Sequence, residues 1–110
     1  LPSAYAVPAL RAIAELQPAI APLLQVSEVR TVAADDHWMS PFYGRESVGI
    51  HFTWEKDWPA VRALLPELEE KLAPFQARPH WGKLFTLSRE RLQALYPKLP
   101  DFQSLVRRLD

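Results

Sequence analysis

The sequence predicts an α+β fold. The expected arrangement is a split β-α-β, ferredoxin-like sheet that lacks its first strand, with helices on one face and further helices at the C-terminus. Three observations lead there. Two segments rich in β-branched residues lie next to each other between two segments whose apolar residues recur at helical spacing. Eleven prolines and three glycines fall at the boundaries of those segments. The resulting order is helix, strand, strand, helix, short strand, helix, helix. It matches strand-helix-strand-strand-helix-strand with the first strand missing.

Taken in order, Val7, Leu10, Ile13, Leu16 and Ile20 repeat at helical intervals after Pro8, which suits a first turn. Pro18 and Pro22 then kink or end the helix, so it is expected at 8–17 with one more turn before Leu23. Leu24 to Ala34 reads as a strand. Residues 34–46 read as a loop from their Asp-Asp, Ser-Pro and Tyr-Gly pairs. Ser47 to Glu55 is a clearer strand, with Val48, Ile50, Phe52 and Trp54 on one face and Gly49, His51 and Thr53 on the other. Asp57 can cap the next helix, whose apolar stripe is Val61, Leu64, Leu65, Leu68 and Leu72 and which Pro74 ends. Gln76 to Pro79 is expected as a short strand. Ser88 caps a short helix, and a last helix is expected to begin at Asp101.

The 110 residues suit one domain. Thirteen basic residues balance thirteen acidic ones, so nothing in the charge favours nucleic acid. The absence of cysteine excludes disulfides and thiolate chemistry. No apolar run reaches the roughly 20 residues of a membrane span, and the start lacks the features of a signal peptide, which fits a cytoplasmic protein. His37, His51 and His80, with Asp35 and Asp36, follow no zinc or iron spacing, so no metal site is expected. The opening on Leu1 and the stop within "RRLD" suggest a piece of a longer protein.

Burial decides which way the first strand faces. One face carries Ser27, Val29 and Thr31, the other Val26, Glu28 and Arg30. Burying an unpaired charge costs several kcal/mol, more than the roughly 2–7 kcal/mol of a neutral polar group, so the first set is expected under the helices. Glu28, Arg30, His51 and Thr53 then share the open face. A wet, polar open face is also what an antiparallel sheet has without any function. The other cluster is "RPHWGKLFTL", where His80, Trp81, Gly82 and Lys83 crowd one connection.

The segments "SEVRTVAADDHWMSPFYGRESVGIHFTW", "ARPHWGKLFTL" and "YPKLPDFQSLVRRLD" resemble the C-terminal part of alditol and xylitol oxidases. These are FAD-linked oxidases of the vanillyl-alcohol-oxidase type with a D-arabinono-1,4-lactone oxidase domain. The resemblance implies oxidation of the terminal alcohol of a polyol to the aldehyde, with hydride passing to FAD and O2 reduced to H2O2. It implies that FAD is bound mainly by an N-terminal domain outside this sequence, and that this chain is a C-terminal, substrate-facing portion over the flavin ring. Carried across, Arg30 and Lys83 lie nearest the reacting hydroxyl as catalytic residues. Glu28, His51 and Thr53 bind substrate, and His80 contacts the cofactor. Gly82 is expected to let the backbone turn and Trp81 to anchor it. A polyol needs fixed donors and acceptors, which these residues supply, and cations beside the reacting carbon stabilise a developing alkoxide.

The alternatives are an aldonolactone oxidase of the same type or a stand-alone ligand-binding or interaction module. By itself the chain should be colourless and inactive, since no Gly-rich loop opens a helix to cradle phosphate. Trp38, Met39, Phe42 and Tyr43 should be exposed and favour self-association.

Overall fold

A computed structural model describes residues Leu1–Asp110. Helices α1 (Ala6–Glu15) and α2 (Gln17–Ile20) lead through a 3-10 turn at Ala21–Leu23 into strand β1 (Leu24–Val32). The break between the helices follows Leu16, where Pro18 enters the first turn of α2. A loop returns the chain to strand β2 (Ser47–Trp54), antiparallel to β1. Helix α3 (Trp58–Leu72) follows, then α4 (Arg89–Leu95) and α5 (Leu99–Leu109). The architecture is α+β, with helices laid against an antiparallel sheet.

Local chemistry accounts for the boundaries. The Asp57 carboxylate accepts the Ala60 N–H and starts α3, and the Ser88 hydroxyl accepts the Arg91 N–H and starts α4. Pro66 lies inside α3 but on its exposed side, so the carbonyl it leaves unpaired, that of Arg62, faces water. Helix α5 begins at Leu99, two residues before the expected Asp101, because Pro100 and Asp101 occupy its first turn.

The core is thin: 11 of 110 residues are buried, so one cover of helices serves mainly one strand. Leu1, Ala9 and Val48 form one cluster, joined by Ile50, Leu72 and Phe75. Ile20, Leu64 and Leu68 form the other, joined by Phe52 and Trp54. The expected helix face of β2 is therefore the face that packs. For β1 the outcome differs. Ser27, Val29 and Thr31 share that face by register, yet all three are exposed, Val29 at 54%. Helices α1 and α3 pack against each other over β2 and do not reach across. At its start β1 does meet the core, through a bulge at Gln25 that places Leu24 opposite Trp54.

The expected strand at Gln76 to Pro79 is absent, and the sheet has two strands. Gln76 adopts a left-handed backbone (φ 55°) that ends the 3-10 turn at Ala73–Phe75, and Pro79 has no N–H for a ladder. The other edge of β2 is occupied instead by the start of the chain. The Val48 N–H donates to the Leu1 carbonyl and the Ser3 N–H to that of Glu46, with Pro2 bridging Ser47 in antiparallel sense.

Candidate active site

The ladder between β1 and β2 sets the first half of the site. Glu28 stands opposite His51, Arg30 opposite Gly49 and Val26 opposite Thr53. Directly opposed residues share a face, so Glu28, Arg30, His51 and Thr53 lie together. The Arg30 guanidinium donates to the Glu28 carboxylate at 2.6 Å. Their side chains are 72% and 46% exposed, so the pair is worth at most about 1 kcal/mol to the fold and leaves lone pairs and N–H groups for a ligand. Gly49, facing Arg30, puts no side chain in its way.

The second half is the connection from Arg78 to Lys83. The Lys83 N–H donates to the His80 carbonyl at 3.0 Å and closes a turn. Within it the Gly82 N–H donates to His80 Nδ1 at 3.0 Å. Trp81 is held from two sides: its indole N–H donates to the Met39 carbonyl at 2.9 Å, and its ring lies 4.7 Å from that of Tyr96. None of the five ion pairs involves Lys83, so its ammonium is free for a ligand. Gly82 corrects an expectation. Its backbone is not left-handed, unlike that of Gly44 (φ 69°), so the turn does not require glycine. What glycine spares is the His80 ring: a Cβ at position 82 would stand a tight 3.3 Å from Cε1 and 3.4 Å from Nδ1.

Sequence reading missed what secures this connection. Arg78 donates to three backbone carbonyls, those of Leu95 (2.7 Å), Tyr43 (2.8 Å) and Pro41 (3.2 Å), and lies 5.6 Å over the Tyr96 ring. It thus ties the 35–45 loop, the end of α4 and the turn together. Burial lowers its pKa from the usual arginine range, an effect that Tyr96 and Asp35 oppose. Tyr96 is fully buried and its hydroxyl donates to the Pro79 carbonyl. Burial raises its pKa to about 12, against the opposing influence of Arg78 and Arg45. Farther along, the Glu69 carboxylate accepts the Thr86 N–H and hydroxyl (2.5 and 2.6 Å), and Arg91 pairs with Glu70 at 2.6 Å, fastening the connection to α3. The signal was present as "RPHWGK" followed by Tyr96, but an arginine that binds only carbonyls has no acidic partner to reveal it.

Both halves line one open cleft of about 1640 Å³ that reaches both faces of β2, with Glu28, Arg30, His51, Thr53, His80 and Lys83 all in its lining. No three His, Asp or Glu side chains converge on one point. The 35–45 loop beside the cleft is less open than expected. Trp38 is 39% exposed with Lys98 over its ring, whereas Met39, Phe42 and Tyr43 are half-buried. No helix is long and apolar enough to cross a membrane.

A strand pair and an anchored turn thus bring an acid, two imidazoles, two cations and a hydroxyl to the lining of one cleft. The chain belongs to the D-arabinono-1,4-lactone oxidase family, whose model matches residues 1–110. It is 51% identical over 110 residues to an alditol oxidase of Streptomyces sp. (strain IKD472 / FERM P-14339), covering all of this chain and 26% of that protein. It is 32% identical over 95 residues to an L-gulono-1,4-lactone dehydrogenase of Mycobacterium tuberculosis, 81% of this chain and 21% of that protein. It is 33% identical over 87 residues to an L-gulonolactone oxidase of Scyliorhinus torazame, 76% of this chain and 20% of that protein. The chain spans about a quarter or less of the length of the relatives it matches.

The family is FAD-dependent. The residues present fit one part of that cofactor. His80 and Lys83 offer hydrogen-bond donors beside the apolar Leu84 and Phe85, a setting for the edge of a flat aromatic ring. They do not fit the pyrophosphate. Gly44, Gly49 and Gly82 lie in a loop, in β2 and in the turn, and none opens a helix.

Proposed function

We propose that this chain is the C-terminal, substrate-facing portion of an FAD-dependent oxidase that converts a terminal alcohol of a polyol to the aldehyde and reduces O2 to H2O2. The observation that supports it most is that Glu28 and Arg30 from β1, His51 and Thr53 from β2, and His80 and Lys83 from the distant turn all line one cleft. The 51% identity to an alditol oxidase across the whole chain favours a polyol over a lactone.

The residues divide the work by chemistry. The Glu28 carboxylate, already accepting from Arg30, has lone pairs left for substrate hydroxyls, and Thr53 can accept and donate. Together they fix the polyol chain on a rigid ladder. Arg30 and Lys83 place positive charge at the alcohol oxygen and stabilise it as the hydroxyl proton leaves. The His51 imidazole, opposite Glu28 in the ladder, can receive that proton. His80 and Lys83 would hold the edge of the isoalloxazine ring. When bound, the flavin supplies the hydride acceptor.

The test is a substrate panel on the complete oxidase with peroxide as readout. Five- and six-carbon alditols are expected to give the highest kcat/KM. A preference for aldonolactones would replace the polyol reading with a lactone oxidase. Turnover of neither would overturn both.

A further inference from the structure

We propose that Gly82 is a positioning residue for His80, holding its imidazole as the Nε2–H tautomer so that His80 enters the cleft as a neutral hydrogen-bond donor. The inference deepens the oxidase reading and rests on it for the acceptor, a carbonyl or ring nitrogen on the isoalloxazine edge.

The argument begins with one bond. The Gly82 N–H donates to His80 Nδ1 at 3.0 Å. A backbone amide can only donate, so Nδ1 must present a lone pair. The proton of the neutral ring is then on Nε2. The same residue is held through its carbonyl, which accepts the Lys83 N–H at 3.0 Å. Backbone and ring of His80 are thus both tied to the turn they begin. Between them, Trp81 is fixed by its bond to the Met39 carbonyl and by Tyr96, so the turn cannot swing as a unit.

The second argument concerns why position 82 is glycine. The usual reason, a left-handed backbone, does not apply here. What a larger residue would crowd is the imidazole itself, 3.3 Å and 3.4 Å from where a Cβ would stand, so the ring would have to give by a few tenths of an ångström. The ring is exposed, so it, and not the packed turn, is what gives way. A side chain at 82 would therefore displace the ring from the Gly82 N–H rather than unfold the turn. Glycine lets the amide and the ring approach, and that approach selects the tautomer. His80 then supplies a directed neutral donor, while Lys83, one residue beyond the glycine, supplies the charge.

The test is NMR on the chain with 15N-labelled histidine and glycine. Only His37, His51 and His80 contribute imidazole signals, and His80→Gln assigns the third. The expected result is a 15N–15N coupling across the hydrogen bond between the Gly82 amide and His80 Nδ1, with the ring proton on Nε2. Gly82→Ala should abolish the coupling and leave the other amide resonances in place. A proton on Nδ1, or no coupling in the unsubstituted chain, overturns the inference whatever the enzyme oxidises. In the complete oxidase, His80→Ala should shift the visible absorption band of the flavin. His80→Gln, which keeps a neutral donor near the Nε2 position, should restore it. A glutamine variant that behaves like alanine also overturns it. Absence of polyol turnover with the coupling intact would sink the oxidase reading alone.

Discussion

The two halves of the cleft are positioned by different means. On β1 and β2 the backbone ladder places Glu28, Arg30, His51 and Thr53, and the side chains are free of structural duty. In the connection from Arg78 to Lys83 no ladder exists. Side chains of other residues hold the backbone instead, through Arg78 on three carbonyls, the Tyr96 hydroxyl on Pro79 and the Trp81 indole on Met39. A ladder spreads positioning over many equal bonds, so no one side chain decides it. An anchored turn concentrates it in a few. Functional residues on the ladder should therefore be replaceable without harm to the fold, and the anchors of the turn should not be.

The sharpest way to break that contrast is Arg78→Met. It leaves three partly buried carbonyls without their donor, and the bonds lost are to a charged group, for a total of roughly 3 kcal/mol. At about 4–8 °C per kcal/mol for a domain near this size, Tm should fall by roughly 12–24 °C. A loss below about 1 kcal/mol in a denaturant titration would mean that the turn holds itself.

Next in size is Lys83→Met in the complete oxidase. The loss of one charge-assisted hydrogen bond, roughly 1.5–3 kcal/mol, lowers kcat/KM by roughly 10- to 150-fold. Anaerobic mixing with excess polyol measures the affected step apart from the oxygen reaction. A reduction rate within twofold of the unsubstituted enzyme would make Lys83 a solvated loop lysine. Arginine should not rescue it, because a planar fork does not replace a compact ammonium at a tight turn.

Tyr96→Phe removes a single anchoring bond and should lower stability by about 1 kcal/mol. It also changes the alkaline limb. The folded-state pKa of Tyr96, about 12, lies above the ordinary phenol value of 10.0, so the native state holds its proton more tightly. That contribution is fully present below pH 10 and is lost as pH rises through about 12. Denaturant titrations of the wild type and of Tyr96→Phe across that window should converge. If the gap between them stays constant, burial of the phenol is not what shifts it.

The same contrast explains what the sequence revealed. Period-two patterning reports ladders, so the strand pair, its two faces and the grouping of Glu28 with Arg30, His51 and Thr53 were all legible. Caps announced α3 and α4 through Asp57 and Ser88. The left-handed Gln76 carries no composition signal, so a strand was read where a turn exists. Arg78 could not be seen as an anchor because its partners are carbonyls, which every residue possesses. Exposure of Val29 was missed for another reason. Pattern shows which face a residue takes and cannot show that the helices stop short of β1. The roles proposed for His80 and Lys83 rest on resemblance, since a basic turn by itself is ordinary.

The smallest expected effect is the most direct test of the ladder half. Glu28→Gln breaks the 2.6 Å pair with Arg30 while keeping size and strand propensity. Both side chains are well exposed, so the pair should contribute less than about 1 kcal/mol, and stability should change by about 0.5 kcal/mol or less. Raising the salt concentration should shrink even that difference, as exposed charges are screened. The position of His51 should not move, because the backbone ladder, not the carboxylate, sets it opposite residue 28. Substrate binding should respond where stability does not. An amide accepts with one oxygen where the carboxylate offers two, so KM for a polyol should rise, and by more than the change in stability would imply. A loss of stability above about 1.5 kcal/mol, or a displaced His51 imidazole signal, would show that the ion pair is part of what holds β1 to β2. The division between a ladder that needs no anchors and a turn that needs several would then fail at its simplest point.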